Sequence, residues 1–431
     1  MNNYDLVVRL FLQLLVIVAA CRVVGVIGRR FGQAQVVSEM VTGVLLGPSL
    51  FGLLFPAIQQ WMFPAKLTVG EGAGAVTINH PSMMVLYAIA QVGLALYMFV
   101  VGMEFDVKLM SDRSRSALMV GSAGMALPMA LGMGAAFVFS RDEALFTPAV
   151  KPWSAALYLG AAMCITAFPM LARILYEKRM TRTSMGTLAL AAGASNDALA
   201  WCLLAVVLSA TKGSWSIAVL AIGGGLLYAI VMMTIGRRLA APLEARVVRD
   251  NGLTAPSMAI ALLILLIGAY VTDAVGIYAV FGAFIAGAAM PRGRFTAAMT
   301  DKLEPFVSTF LLPVFFVYSG LNTRIGLLDH WHLWLMAALL TLLAIIGKGV
   351  GCAIAARIAG EPWREAITVG VLMNARGLME LIILNIGLEQ GVITPTLFTM
   401  MVLMAVVTTL MASPLFEWVY GRRAASVRAA A

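Results

Sequence analysis

Long apolar runs, separated by short clusters of charge, fill this chain from end to end. A helix needs roughly 20 apolar residues to cross a bilayer. Runs of that kind fall near 6–28, 35–54, 84–105, 117–139, 154–175, 185–210, 215–236, 257–272, 275–290, 304–321, 331–356, 366–388 and 397–420. The pattern predicts an all-α polytopic membrane protein of about 13 transmembrane helices. The runs are unbroken rather than alternating, which argues against a β-barrel. The 56–82 stretch, with Pro56, Pro64 and several glycines, reads as a loop with a short amphipathic piece.

Loop charge tests that count. Alternate loops carry Arg29, Arg30, Lys108, Arg113, Arg115, Lys178, Arg179, Arg182 and their later counterparts up to Arg428; the opposite side holds Arg9, Lys66, Arg141, Lys151, Lys212 and Arg324. The split is 20 to 6. Basic residues collect on the cytoplasmic side, so the N-terminus is expected outside and the C-terminus in the cytoplasm, in a bacterial inner membrane. Composition agrees: 61% of residues are hydrophobic, 12% are charged and the mean hydropathy is +0.93. The net charge of +9 is dispersed over those loops, so no nucleic-acid partner is implied; membrane lipid is. The four cysteines lie in apolar segments without metal-ligand spacing. Asn2, Asn3 and Asp5 replace the basic start of a signal peptide.

The two halves echo each other. Gly43–Pro48 resembles Gly282–Gly287, and Met98–Met103 resembles Phe315–Leu321. The fifth and twelfth runs each carry a polar break, Thr166-Ala167-Phe168-Pro169 and Asn374-Ala375-Arg376-Gly377. Spans seven apart in a thirteen-span chain run in opposite directions, the pattern of an inverted-topology repeat. Repeat 1 is expected over 6–210, a linker helix over 215–236 and repeat 2 over 257–420, forming a single transmembrane domain over 1–431 with no soluble regulatory domain. Freed backbone groups at a mid-membrane break must find partners or line a wet cavity. Two crossed breaks would bring helix ends of both signs together.

Asn196 and Asp197 lie inside the apolar stretch Leu188–Val207. A carboxylate at that depth costs roughly 2.5–3.5 kcal/mol on insertion scales and marks an ion or proton site. Partial desolvation can bring such a group to titrate near physiological pH. It then holds a proton or an alkali cation, but not both. Asn196 adds a neutral amide beside it, Thr166 is a further oxygen ligand, and Ser195 and Pro169 are supporting residues. Lys348 stands among Gly347, Gly349 and Gly351, whose spacing suggests close helix packing. It either neutralises the empty site or snorkels to the interface. Arg376 and Glu380, four apart, share a helical face; they read first as a structural ion pair that steadies the broken helix, and second as part of the ion pathway. Glu39, near the start of the second run, either guards a cytoplasmic funnel or is a helix-end charge, the second being favoured; Glu104 and Asp106 read as interfacial. The 28 methionines are scattered like packing residues.

Ile165–Leu175 resembles the fifth-span signature of monovalent cation:proton antiporters. Gly43–Gly52, Ala194–Trp201, Leu312–Phe316 and Leu372–Leu381 also resemble that group, in its second branch, which holds the plant cation/proton exchangers and the Kef-type potassium/proton antiporters. The resemblance covers about residues 10–420 and is to the membrane domain only. It implies a sodium/proton antiporter fold with a dimerisation domain and a mobile core domain, a homodimer and elevator-type alternating access. It also implies Asp197 as the essential aspartate, Thr166 as the crossover threonine and Lys348 as the core lysine. The Asn-Asp pair implies electroneutral one-for-one exchange of K⁺ or Na⁺ for H⁺, with no cofactor beyond the transported ions and pH homeostasis as its setting. It leaves the partner of Lys348 open. Regulation would come from a separate subunit or from pH alone.

Two alternatives remain on sequence grounds: a gated potassium efflux pathway and a cation-coupled symporter on the same fold. No filter-like Gly-Tyr repeat favours a channel. An intramembrane enzyme lacks support, since there is no His-Glu-x-x-His motif and the three histidines, His80, His330 and His332, sit in loops or at span ends.

Overall fold

The computed structural model describes residues 3–33, 35–64, 66–69, 76–104, 114–139, 142–148, 150–177, 180, 183–212, 215–275, 278–321 and 323–430. In chain order its elements are α1 (Asn3–Arg30), α2 (Gln35–Leu46), α3 (Phe51–Leu54), α4 (Pro56–Met62), β1 (Lys66–Val69), β2 (Val76–Asn79), α5 (Pro81–Glu104), α6 (Ser114–Phe139), α7 (Pro152–Cys164), α8 (Phe168–Glu177), α9 (Ser184–Lys212) and α10 (Trp215–Val231). There follow α11 (Arg237–Ala240), α12 (Pro242–Arg249), α13 (Ala255–Val275), α14 (Ala279–Ala288), α15 (Arg294–Phe306), α16 (Leu312–Leu321), α17 (Trp331–Ile358), α18 (Trp363–Met373), α19 (Leu378–Glu389) and α20 (Pro395–Ala430). Among the described residues nine helices are long and apolar enough to cross a membrane.

Two features depart from the expected pattern. The 56–82 stretch holds not only the short helix α4 but also an antiparallel hairpin, with Lys66 opposite Asn79 and Val69 opposite Val76. The alternation in Lys66-Leu67-Thr68-Val69 and Val76-Thr77-Ile78-Asn79 was its signal. The run expected at 304–321 is longer, because α15 starts at Arg294 and joins α16 through a π turn at Val307–Leu311. That turn lies between Pro305 and Pro313, whose missing N–H groups interrupt the regular ladder.

The chain divides into two compact units. The first comprises 1–22, 50–106 and 214–318; the second comprises 23–49, 107–213 and 319–431. In the first unit α5 and α14 meet through glycines. A Cβ on Gly102 would lie 2.2 Å from the Phe284 carbonyl, and one on Gly287 would lie 2.1 Å from that of Phe99. Small residues of this kind let membrane helices approach backbone to backbone. Around that contact Phe99, Met103, Ala283, Ala286 and Phe295 form an apolar core. The amphipathic α15 is capped from α12: Arg294 and Phe295 donate their N–H groups to the Glu244 carboxylate at 3.0 and 2.9 Å, a charge well placed against a helix N-terminus.

The second unit is built on α6, α7, α9, α17, α18, α19 and α20. Here too glycines set the spacing. Gly347 of α17 faces Pro128 of α6, Gly351 faces Ala123, and Gly349 faces Gly370 of α18. The Gly-rich run around Lys348 is thus continuous helix in close packing. At one end of this unit the connectors preceding α7 and α20 pair. Phe146 and Ile393 form an antiparallel bridge, Thr394 donates its N–H to Leu145 O at 3.1 Å, and Thr147 Oγ1 donates to Gly391 O at 2.6 Å.

Candidate ion site

Both polar breaks read from the sequence interrupt helices, and both lie in the second unit. Residues 165–167 separate α7 from α8, with Ile165 in extended backbone. Residues 374–377 separate α18 from α19. Gly377, at φ +157°, takes a backbone conformation that side chains rarely adopt. The interruptions touch: Ala167 donates its N–H to Ala375 O at 3.2 Å. Pro169 is the second residue of α8, where a missing N–H costs nothing. The break therefore precedes the proline rather than following from a kink at it.

An interrupted helix leaves carbonyls without intrahelical donors. At the end of α7 two cations supply the missing donors. Arg376 Nη1 donates to Ala162 O at 3.3 Å, Arg376 Nη2 donates to Met163 O at 2.6 Å, and Lys348 Nζ donates to Cys164 O. Positive charge at a helix C-terminus is favoured by its dipole. Lys348 is fully buried, so it does not snorkel. Arg376 does face Glu380, at 3.5 Å, but its shorter contacts go to the first interruption. At the end of α18 the donors are neutral. Asn374 Nδ2 donates to Gly370 O at 3.0 Å. Thr409 of α20 accepts the Arg376 N–H at 3.0 Å, and its hydroxyl lies 2.8 Å from Arg376 O.

Thr166, fully buried in the first interruption, accepts a hydrogen bond from Asn196 Nδ2 of α9 at 2.8 Å. The carbonyl oxygen of that amide is buried without a hydrogen-bond partner among the described residues, as is that of Asn374. Each is an oxygen acceptor in an enclosed place, the chemistry a hard cation needs. Asp197 follows Asn196 on α9; its side chain lies outside the described residues. Ser195 turns its hydroxyl to Ala191 O of its own helix at 2.9 Å, apart from the Asn196–Thr166 pair.

One reading of the sequence needs amendment. Glu39 is not a solvated helix-end charge: it is buried, with Gln35 Nε2 donating to its Oε1 at 3.2 Å. Thr409 escaped notice, although two adjacent threonines, Thr408 and Thr409, inside an apolar run were a visible signal. Asp106 lies outside the described residues, while Glu104 is exposed at the end of α5.

The family model described as "Sodium/hydrogen exchanger, transmembrane" matches residues 15–420. The Na⁺/H⁺ antiporter NhaS4 of Synechocystis sp. is 37% identical over 94% of this chain and 96% of the relative. Cation/H⁺ antiporter 18 of Arabidopsis thaliana is 35% identical over 95% of this chain, and K⁺/H⁺ antiporter 1 of Saccharomyces cerevisiae is 31% identical over 95%. The chain spans about half the length of these last two, 48% and 46%. The fold matches the sodium proton antiporter MjNhaP1 of Methanocaldococcus jannaschii with a TM-score of 0.64 at 16% identity, over 96% of this chain and 99% of that one. The chain belongs to the sodium/hydrogen exchanger family of integral membrane proteins, and is a secondary transporter rather than an enzyme.

Proposed function

We propose that this protein exchanges a monovalent cation, K⁺ or Na⁺, for H⁺ across a bacterial inner membrane, one for one. Asp197 carries either ion in turn, with Asn196 and Thr166 as neutral oxygen ligands. The observation that carries this reading is the meeting of the two interruptions beside the Asn196–Thr166 pair, one residue before Asp197 on α9. Relatives named as Na⁺/H⁺, cation/H⁺ and K⁺/H⁺ antiporters support the exchange. Both cations accept the same oxygen ligands, so both are kept.

Charge balance supports Asp197 as the carrier. When Lys348, Arg376 and Glu380 are ionised, they leave one positive charge in excess in a buried place. A carboxylate at Asp197 offsets it, and unpaired buried charge is costly. The neutral Asn196 adds no second titrating group, which favours one proton per cation.

The proposed scaffold has about 13 spans in two inverted repeats, crossing at the interruptions, with the N-terminus outside. Helix packing supports the repeat. Gly43 of α2 meets Gly320 of α16 in one unit, and Gly102 of α5 meets Phe284 and Gly287 of α14 in the other. Exchanging the repeats maps the first contact onto the second. Elevator-type access and a homodimer complete the proposal.

The test uses proteoliposomes loaded with K⁺ or Na⁺ and a pH dye inside. An imposed cation gradient is expected to move protons in the wild type. Asp197→Asn is expected to abolish the response while leaving the protein folded; retained exchange overturns the assignment. A rate that changes with clamped membrane potential overturns one-for-one stoichiometry.

A further inference from the structure

We infer that Thr409 of α20 is a positioning residue for cation recognition: its hydroxyl holds Arg376 in the second interruption so that the guanidinium closes the carbonyl end of the first. The inference rests on the reading that Thr166 and Asn196 receive the cation.

One hydroxyl serves both sides of one residue. Thr409 Oγ1 accepts the Arg376 N–H at 3.0 Å and lies 2.8 Å from Arg376 O. It also lies 2.7 Å from Ala405 O of its own helix. A hydroxyl has a single proton, so it donates to one of these carbonyls at a time. From the backbone so fixed, the Arg376 side chain reaches Ala162 O and Met163 O, and the preceding carbonyl, Ala375 O, takes the Ala167 N–H. Thr166 lies between those two attachments along the first interruption. Among the described residues no hydrogen bond joins Thr409 to Thr166 or Asn196, so its influence passes through Arg376. Thr409, Arg376 and Thr166 are all fully buried, and water cannot replace the lost partner at little cost. Adjacent Thr408 differs. Its hydroxyl donates within α20, to Met404 O at 2.8 Å or Ala405 O at 3.1 Å.

The experiment measures initial exchange rate against cation concentration in proteoliposomes for the wild type, Thr409→Val, Thr409→Ser and Thr408→Val. A residue that only packs helices changes the amount of folded transporter, which scales the maximal rate and leaves KM in place. The expected result is a KM about five-fold higher for Thr409→Val, the worth of roughly one hydrogen bond, with Thr409→Ser and Thr408→Val near the wild-type KM. An unchanged KM in Thr409→Val overturns the inference, and so does a Thr409→Ser variant that fails to restore it. If Thr409→Val does not fold, Thr409→Cys decides, since a thiol keeps the volume with a weaker donor: raised KM supports the inference and wild-type KM overturns it. Should the wild type itself move no cation, the functional reading falls and takes this inference with it. Should the wild type exchange normally while Thr409→Val keeps its KM, only the inference falls.

Discussion

The two compact units bury different chemistry. Among the described residues, the side chains that are both charged and buried, Glu39, Lys348, Glu361, Arg376 and Glu380, all belong to the second unit. The first unit buries apolar residues and neutral polar ones such as Gln13, Ser82 and Thr272, and brings its helices together on bare glycine backbone. A buried charge costs several kcal/mol unless it is paired and hydrogen-bonded, so its confinement to one unit marks where the chain tolerates that cost. The two interruptions within that unit differ in the same sense. One helix end is closed by the cations Arg376 and Lys348, the other by the neutral Asn374 and Thr409. A cationic closure adds fixed positive charge next to Thr166. A neutral one holds shape without adding to the field.

The largest effect that would break this comparison comes from Arg376→Met. It leaves Glu380 buried without its counter-charge and opens two carbonyls, an expected loss of about 3–5 kcal/mol. A clear drop in melting temperature in detergent is the readout, partly recovered by adding Glu380→Gln. An unchanged melting temperature would mean that the guanidinium is not structural. Next is Gly287→Val in the first unit, where a Cβ would press on the Phe99 carbonyl at 2.1 Å. Overpacking costs about 1–3 kcal/mol. The surviving protein is expected to keep the wild-type KM for its cation, and a shifted KM would erase the division of labour between the units.

The smallest effect concerns His80, buried in the first unit. Its Nδ1 accepts the Ser82 N–H at 3.2 Å, and Arg9 Nη1 lies 3.4 Å from Nε2. Burial first, and the Arg9 charge second, hold its pKa below the ordinary 6.5. The unfolded chain therefore takes up the proton first as pH falls. The stability from neutral His80 is complete above pH 6.5 and drains away as pH drops from there toward the folded-state pKa. Melting curves from pH 8 to pH 5 are expected to lose this slope in His80→Gln. If the variant and the wild type lose stability equally, His80 is not the group responsible.

Much of this was legible in the chain. The long apolar runs located the nine helices that are long and apolar enough to cross a membrane among the described residues, because lipid forces every backbone group in a span to be satisfied locally. Pro169 and Gly377 betrayed the two interruptions, and oxygen chemistry brought Thr166 together with Asn196. The targets of Lys348 and Arg376 were hidden, because each reaches a backbone carbonyl near 160 in the sequence, and a carbonyl has no residue type to read. Glu39 misled for a related reason: position near a span end says nothing of which neighbours close over it. The strand pair 66–69 and 76–79 went unread because its alternation runs for only four residues in each strand.

The bridge between Phe146 and Ile393 carries a mechanical corollary. The connector leading into α7 and the one leaving α19 are joined there by main chain, while the middles of the same two interrupted helices are joined again at Ala167 and Ala375. Two ties at different heights define a line, and a pair of rods fastened at both cannot be drawn apart without shearing one tie. Torque delivered to either rod is shared by its mate.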